Sequence, residues 1–113
     1  MKSDDIPPRS FRVVCQSGDS TAFTVPTNML GYISEIEVDS RAQSGQLSTI
    51  GIDIRDTFTP QGGSSTTQVR KSFGIRAGEV VGISLDAPVH VIGQVDLRCN
   101  WSGPIVSLTA RFE

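Results

Sequence analysis

The chain has 113 residues, a length that suits one domain with a real core and is too short for two. Hydrophobic residues make up 37% and charged residues 19%, which excludes a disordered chain. The formal net charge of -2 provides no basic field to attract nucleic acid or an anionic membrane, so we expect neither partner.

The first ten residues, 1–10, are predicted to form an extended arm. Pro7-Pro8 favours an extended path that has no internal hydrogen bonds. Such a terminus is often frayed, and the alternative is a segment that becomes ordered against a neighbouring subunit. Arginine, which outnumbers lysine in this chain, is favoured at protein interfaces. The candidate partner-binding residues in and beside the arm are Ile6, Pro7, Pro8, Arg9 and Arg12.

Four strands are predicted in the first half of the chain from β-type runs bounded by turn signals. They cover residues 11–16, 21–25, 32–39 and 47–56. On the third strand the alternation predicts one face made of Tyr32, Ser34, Ile36 and Val38. On the fourth it predicts an inward row of Ile50, Ile52 and Ile54, with Asp53 and Arg55 pointing outward.

The second half begins with residues 59–68, whose Gly/Ser composition predicts a flexible connection or a contact element. A meander of three strands is predicted next, with turns at Ala77-Gly78 and Asp86-Ala87. Its inward rows are Val69, Phe73 and Ile75; then Val81, Ile83 and Leu85; then Val89, Val91, Val95 and Leu97. A last strand covers 105–112, in which Val106, Leu108, Ala110 and Phe112 alternate with polar residues. We expect the remaining strands to supply a second sheet, because a meander alone leaves an apolar face in water.

Eight short strands and no helical periodicity of useful length predict an all-β domain over residues 11–113. The favoured architecture is an eight-stranded antiparallel β-sandwich of the jelly-roll type, and the alternative is an immunoglobulin-like sandwich. The immunoglobulin arrangement of two cysteines flanking a buried tryptophan is missing, because Trp101 comes two residues after Cys99.

Candidates for catalysis are few. His90 is the only histidine, so no metal site with several His ligands can form, and its parity places it on the outer face of its strand. Ser84 and Ser107 lack the turn motif that exposes a nucleophile.

Carboxylates could serve acid–base chemistry or bind calcium, although carboxylates at alternate positions of a strand are also typical of a face exposed to solvent. These carboxylates are Glu35, Glu37 and Asp39, and then Asp53 and Asp56. We predict no enzyme, no metal site and no cofactor.

Both cysteines are predicted to face the core, because Cys15 and Cys99 share the parity of inward-facing neighbours. Two alternatives remain: two buried free thiols, or a disulfide within or between chains. An intrachain bridge would close a loop of about 84 residues and add roughly 4 kcal/mol to the free energy of unfolding.

Trp101 lies in a turn between strands, flanked by Asn, Ser, Gly and Pro. A large aromatic residue there is either a plug over the open end of the sandwich or an exposed anchor for a partner or a sugar ring. Two classes of function follow. One is a structural module of an assembly, and the other is a small carbohydrate-binding module that uses Trp101 as its stacking platform.

Two stretches of the chain resemble small jelly-roll proteins of virions. One is a strand ending Val25-Pro26 that precedes a strand of the form aromatic-Ile-x-x-Ile-x-Val, and the other is an Ala77-Gly78-Glu79 turn that leads into an apolar strand. As a pattern the likeness covers about residues 21–112. It is greatest to bacteriophage capsid decoration (cement) proteins and related virion β-sandwiches.

The resemblance implies a protein that binds the outside of an assembled shell, often as a homotrimer at symmetry axes. Its partner would be a major capsid protein or another shell subunit. Its location would be the virion, assembled in the host cytoplasm. No functional residue is carried over from the resemblance.

Overall fold

Two four-stranded antiparallel sheets face each other in the computed structural model, which describes residues 7–43, 45 and 49–113. The strands are β1 (Arg9–Val14), β2 (Gly18–Thr24), β3 (Gly31–Asp39), β4 (Thr49–Phe58), β5 (Thr66–Arg76), β6 (Val80–Val91), β7 (Gln94–Cys99) and β8 (Ile105–Phe112). A short 3-10 helix, Arg41–Gln43, follows β3. In these ranges no helix has the length and hydropathy that crossing a membrane requires. The predicted all-β, eight-stranded sandwich is confirmed.

The strand order identifies the sandwich as a jelly roll. The first sheet has the order β1-β8-β3-β6 and the second sheet the order β2-β7-β4-β5. Every connection except the β4–β5 hairpin carries the chain from one sheet to the other. The predicted meander is therefore wrong, since β5 and β7 belong to the second sheet and β6 to the first. Alternation along each strand predicts a buried face but does not say which strand pairs with which.

Inward-facing aliphatic rows of both sheets form the core. On β4 the row is Ile50, Ile52 and Ile54, and on β8 it is Val106, Leu108, Ala110 and Phe112. Both rows are buried as predicted, and removing one such Ile or Leu side chain from water contributes about 1.5–3 kcal/mol. The predicted rows of β6 and β7 also face this core, with Val81, Ile83, Leu85 and Val89 only partly covered.

Because of two β-bulges, the predicted side-chain orientations are wrong for parts of two strands. A bulge in β3 between Ile33 and Glu35 turns Tyr32 and Ser34 to the outside of the first sheet. A bulge in β5, opposite Ile54 and Arg55, leaves Val69 53% exposed instead of inward. Side chains alternate with a period of two, so one extra residue reverses the face of everything beyond it.

The predicted turn at Asp86-Ala87 is a bulge within one continuous strand. On β3, Ile33 lies opposite Val89 and Glu35 lies opposite Ser84, so residues 85–88 of β6 face a single residue, Ser34. Pro88 cannot donate a ladder hydrogen bond, and proline inside a sheet is confined to such irregular or edge positions. The turn between β6 and β7 comes at 92–93 instead. The turn at Ala77-Gly78 is confirmed, with Gly78 at a φ of 97°.

Several strands and loops begin or end at residues other than the predicted ones. Arg9 and Ser10 pair with Ala110 and Thr109, so β1 begins inside the stretch predicted as an arm. Ile6 and the other residues of 1–6 lie outside the described ranges, as does the predicted start of the fourth strand at Leu47. The connection between β4 and β5 is shorter than predicted, covering 59–65.

A buried carboxylate joins two strands of the second sheet, β4 and β5, to the turn between β6 and β7. Asp56 is fully buried on β4, and its Oδ2 accepts hydrogen bonds from Nε and Nη2 of Arg70 on β5, at 3.1 and 2.9 Å. The backbone N–H of Ile92 donates to Oδ2 at 3.0 Å, and that of Gly93 donates to Oδ1 at 2.8 Å. Asp56 therefore has a structural role and does not pair with Asp53 for chemistry.

Candidate functional site

Three side chains that can form hydrogen bonds, those of His90, Tyr32 and Arg111, form one row across the outer face of the first sheet. Tyr32 on β3 lies opposite Arg111 on β8 and also opposite His90 on β6. Side chains that are directly opposite on neighbouring antiparallel strands share a face and approach within about 5 Å at Cβ. The Tyr32 and His90 rings meet edge to face, with centroids 4.6 Å apart at 80°. His90 faces outward, as predicted.

The bulges of β3 and β6 open a small cavity beside this row. Its volume is about 110 Å³, and it is lined by Pro8, Tyr32, Ser34, Pro88 and Arg111. The β3 bulge brings Ser34 to this surface, and the β6 bulge brings Pro88. Bulges often lie next to functional sites because they redirect side chains. We call this cavity and its five lining residues the bulge cavity.

Arg111 has unused hydrogen-bonding capacity in the bulge cavity. Its Nε is buried and has no hydrogen-bond partner within the described part of the chain. The ion pairs formed by those residues involve Arg41, Arg55, Arg70 and Arg98, and Arg111 is in none of them. A buried donor without an acceptor costs about 1–3 kcal/mol, and the rest of this guanidinium forms no ion pair with the described residues.

The outer face of the second sheet differs because its arginines form ion pairs, even though the Nε of Arg55 is also buried without a hydrogen-bond partner in the described residues. Asp19 on β2 lies 3.4 Å from Nη1 of Arg55 and 3.9 Å from Nη1 of Arg98. Arg98 also lies opposite Asp53 in the sheet register. This interspersed pattern is that of a solvated surface, and pairs of this kind contribute at most about 1 kcal/mol each.

The predicted acidic row lies on the first sheet, beside a shallow depression. Glu35 and Glu37 border a depression of about 330 Å³, whose other lining side chains include Ser84 and Ser107. At the end of the row, hydrogen bonds from Arg41 lower the pKa of Asp39 to about 2. No group of three or more His, Cys, Asp or Glu residues that could hold a metal ion occurs in the described ranges.

The two cysteines lie together inside the sandwich. Cys15, just after β1, and Cys99, the last residue of β7, are both buried, as their parity predicts, and both are free thiols. Burial, followed by the neighbouring Cys99 thiol, raises the pKa of Cys15 from 9.0 to about 12. The backbone N–H of Trp101 donates to the Cys99 sulfur at 3.4 Å.

This pKa shift predicts a loss of stability at alkaline pH. The folded protein holds the Cys15 proton up to about pH 12, whereas the unfolded chain releases it near pH 9.0. The Cys15 contribution is therefore fully present below pH 9 and declines between pH 9 and 12. We expect the urea midpoint to fall more steeply above pH 9 in the wild type than in Cys15→Ala. Parallel curves for the two proteins would show that Cys15 does not cause the decline.

Trp101 packs against the core and is half-buried, which favours the predicted plug over the exposed anchor. Its turn is fixed on both sides. The Asn100 side chain accepts a hydrogen bond from the Gly51 N–H and donates one to the Thr49 carbonyl, and the Ser102 hydroxyl accepts from the Ser17 N–H. These contacts hold the indole over one end of the sandwich.

The candidate partner-binding residues do not form one site. Pro7, Pro8 and Arg9 are exposed at the start of β1, and Arg12 is exposed farther along that strand. Trp101 belongs to the turn packed at the opposite end of β1, where Gly103 donates to the carbonyl of Cys15. The six residues of β1 separate these groups by roughly 20 Å.

Tyr32 and Arg111 were not recognised from the sequence as site residues. A usable signal exists in β3, where Ile33 and Ile36 are both apolar but three residues apart, a spacing that breaks strict alternation. A proline inside the β6 run is a second signal of an irregular strand. No known protein family matches this sequence, and no match was found among curated proteins.

Proposed function

We propose that this chain is a non-enzymatic structural protein of a virion or a similar assembly, which binds the outer surface of a capsid shell as a decoration protein. The observation that carries the proposal is the jelly-roll order, β1-β8-β3-β6 against β2-β7-β4-β5. Viral capsid domains use this architecture. The resemblance of the β2–β3 and β5–β6 regions to virion decoration proteins agrees with it.

Exposed sheet edges support a role in contacts with neighbouring subunits. β5 and β6, with 11 and 12 residues, are the longest strands, and each lies at the edge of its sheet. An edge strand presents unpaired backbone groups with which another chain can pair. Exposed valines lie on both strands, with Val69 at 53% and Val80 at 49% exposure. Contacts along these edges would hold copies together as a homotrimer.

The start of the chain supplies a separate contact element. Pro7 and Pro8 are exposed and precede the first hydrogen-bonded residue of β1, Arg9. An extended, proline-containing segment pays a small entropic cost when it becomes ordered against a partner. In the proposed function this segment, with Arg9 and Arg12, contacts the major capsid protein or another shell subunit.

The proposal predicts a trimer that loses its attachment when the segment is removed. Three copies of the 12.1 kDa chain should elute together in light-scattering chromatography, and the protein should co-sediment with shells of the capsid protein encoded in the same genome. Deletion of residues 1–8 should weaken co-sedimentation at least about tenfold, the effect of losing roughly 1.4 kcal/mol of contact. The deletion stops at Pro8 because Arg9 pairs with β8.

A matched control is Gln61→Ala in the exposed β4–β5 turn, which should co-sediment like the wild type. A monomer that stays in the supernatant with every shell preparation would contradict the proposal. The carbohydrate-binding alternative has less support, because Trp101 packs against the core and is only partly exposed.

A further inference from the structure

We propose that the bulge cavity binds a carboxylate group and that Arg111 is the residue that holds it. The inference rests on the geometry of the cavity and is independent of the function proposed above. The ligand is either a small carboxylic acid or the acidic side chain of another chain. The two share the same chemistry and can be distinguished by experiment.

The first step is the charge in the cavity. Arg111 is always protonated, its Nε is buried, and that nitrogen has no acceptor in the ranges that the structure describes. The guanidinium carries further N–H donors in a fixed fork whose geometry matches the two oxygens of a carboxylate. A carboxylate in the cavity would lie against the terminal N–H groups of this fork and balance the charge of the guanidinium.

The second step is the absence of an internal competitor. Glu35 lies just beyond the β3 bulge, Asp86 lies within the β6 bulge, and Glu113 follows Arg111 by two residues. None of these three forms an ion pair with Arg111 in the described structure. The side chain is therefore not neutralised from within this part of the chain, unlike Arg70 and Arg41.

The third step distinguishes a carboxylate from a phosphate. Sites for phosphate usually combine several backbone N–H donors or a cluster of arginines, because the group carries more charge and more acceptor oxygens. The bulge cavity contains one arginine, and two of its five lining residues are prolines, which have no N–H. The single charge of Arg111 and the small number of other hydrogen-bond donors in the cavity suit a monovalent anion such as a carboxylate.

The fourth step is size and polarity. A volume of about 110 Å³ corresponds to roughly four water molecules in the liquid, enough for a carboxylate with one or two methylene groups. The rings of Pro8, Pro88 and Tyr32 form apolar walls for those methylenes. The hydroxyls of Tyr32 and Ser34 can donate additional hydrogen bonds. His90 meets the Tyr32 ring edge to face and fixes its position.

The test is an NMR titration of the full chain, labelled with 15N, at constant ionic strength. The probes are propionate for a free acid, N-acetyl-glutamate amide for an acidic side chain, and phosphate and chloride as comparison anions. We expect saturable shifts at Tyr32, Ser34 and the Arg111 Nε–H with a millimolar dissociation constant for propionate. Tighter binding of the glutamate derivative than of propionate would identify an acidic side chain as the ligand, and tighter binding of propionate would identify a free acid.

Two variants locate the binding group. Arg111→Gln should weaken propionate binding at least about tenfold, because it removes the charged fork. Arg98→Gln, on the outer face of the second sheet, should bind like the wild type. If Arg111→Gln gives a poorly dispersed spectrum, Arg111→Lys supplies the charge without the fork and should bind more weakly than the wild type.

Three results would each overturn the inference. One is the absence of saturable shifts up to about 100 mM propionate, far above a millimolar dissociation constant. Another is saturation by phosphate but not by propionate. The third is propionate binding that a folded Arg111→Gln or Arg111→Lys variant leaves unchanged.

Discussion

Replacing Asp56 with asparagine is expected to lower the free energy of unfolding by about 3–5 kcal/mol, the usual cost of removing one partner of a buried ion pair. Asp56 accepts four hydrogen bonds, two from Arg70 and one each from the N–H groups of Ile92 and Gly93. An asparagine amide would direct an N–H group at some of these donors. It would also leave the Arg70 side chain, only 26% exposed, without its counter-charge. Urea denaturation measures the loss.

The matched control is Asp53→Asn, three residues earlier on the same strand but on the outer face. Its expected effect is within about 0.5 kcal/mol, as for most surface substitutions. A double-mutant cycle with Arg70→Met should show strong coupling between positions 56 and 70, because one partner's effect depends on the other. Equal losses in Asp56→Asn and Asp53→Asn would contradict the role assigned to the buried carboxylate.

Oxidation of Cys15 and Cys99 to a disulfide is expected to stabilise the protein by about 4 kcal/mol, which corresponds to a rise in Tm on the order of 10–20 °C. The two thiols are near enough that Cys99 raises the pKa of Cys15. Each would lose a proton and an electron to an added oxidant, such as oxidised glutathione, as the S–S bond forms. The bridge would close a loop of about 84 residues and so restrict the unfolded chain.

This oxidation should be slow in the folded protein, because the raised pKa of Cys15 leaves little of the reactive thiolate at neutral pH. Mass spectrometry follows the loss of two hydrogens, and thermal unfolding compares the reduced and oxidised forms. Cys99→Ala cannot form the bridge, and its Tm should not respond to the oxidant. An oxidised monomer that melts below the reduced one would show that bridging strains the sandwich.

Much of the core could be predicted from the sequence, because burial on a strand follows a period of two. The rows of β4 and β8 are long, regular and aliphatic, so Ile52 and Leu108 are recognisable as core residues without any knowledge of their partners. Asp56 has the same parity as Ile54 and therefore belongs to this inward row. Its neutralising partner could not be inferred, because Arg70 faces Asp56 only through the bulge in β5.

The pairing of strands was less predictable, since it depends on contacts between distant parts of the chain. Nothing local distinguishes a meander from a connection that crosses between sheets, and the 66–97 segment contains only crossings. The bulge cavity was missed for a related reason. Tyr32 reaches the outer surface because of one extra residue in β3, and Pro88 joins it through four residues of β6 that share one partner.

The pairing of β1 with β8 has a consequence for synthesis of the chain. β1 lies at the edge of the first sheet, and β8 is its one hydrogen-bonded neighbour there. A ribosome makes the earliest strand long before the latest, so Phe11 and Val13 have no sheet to join until translation has passed Phe112. We expect early local order in the hairpin of β4 and β5, and closure of the first sheet only after β8 has been synthesised.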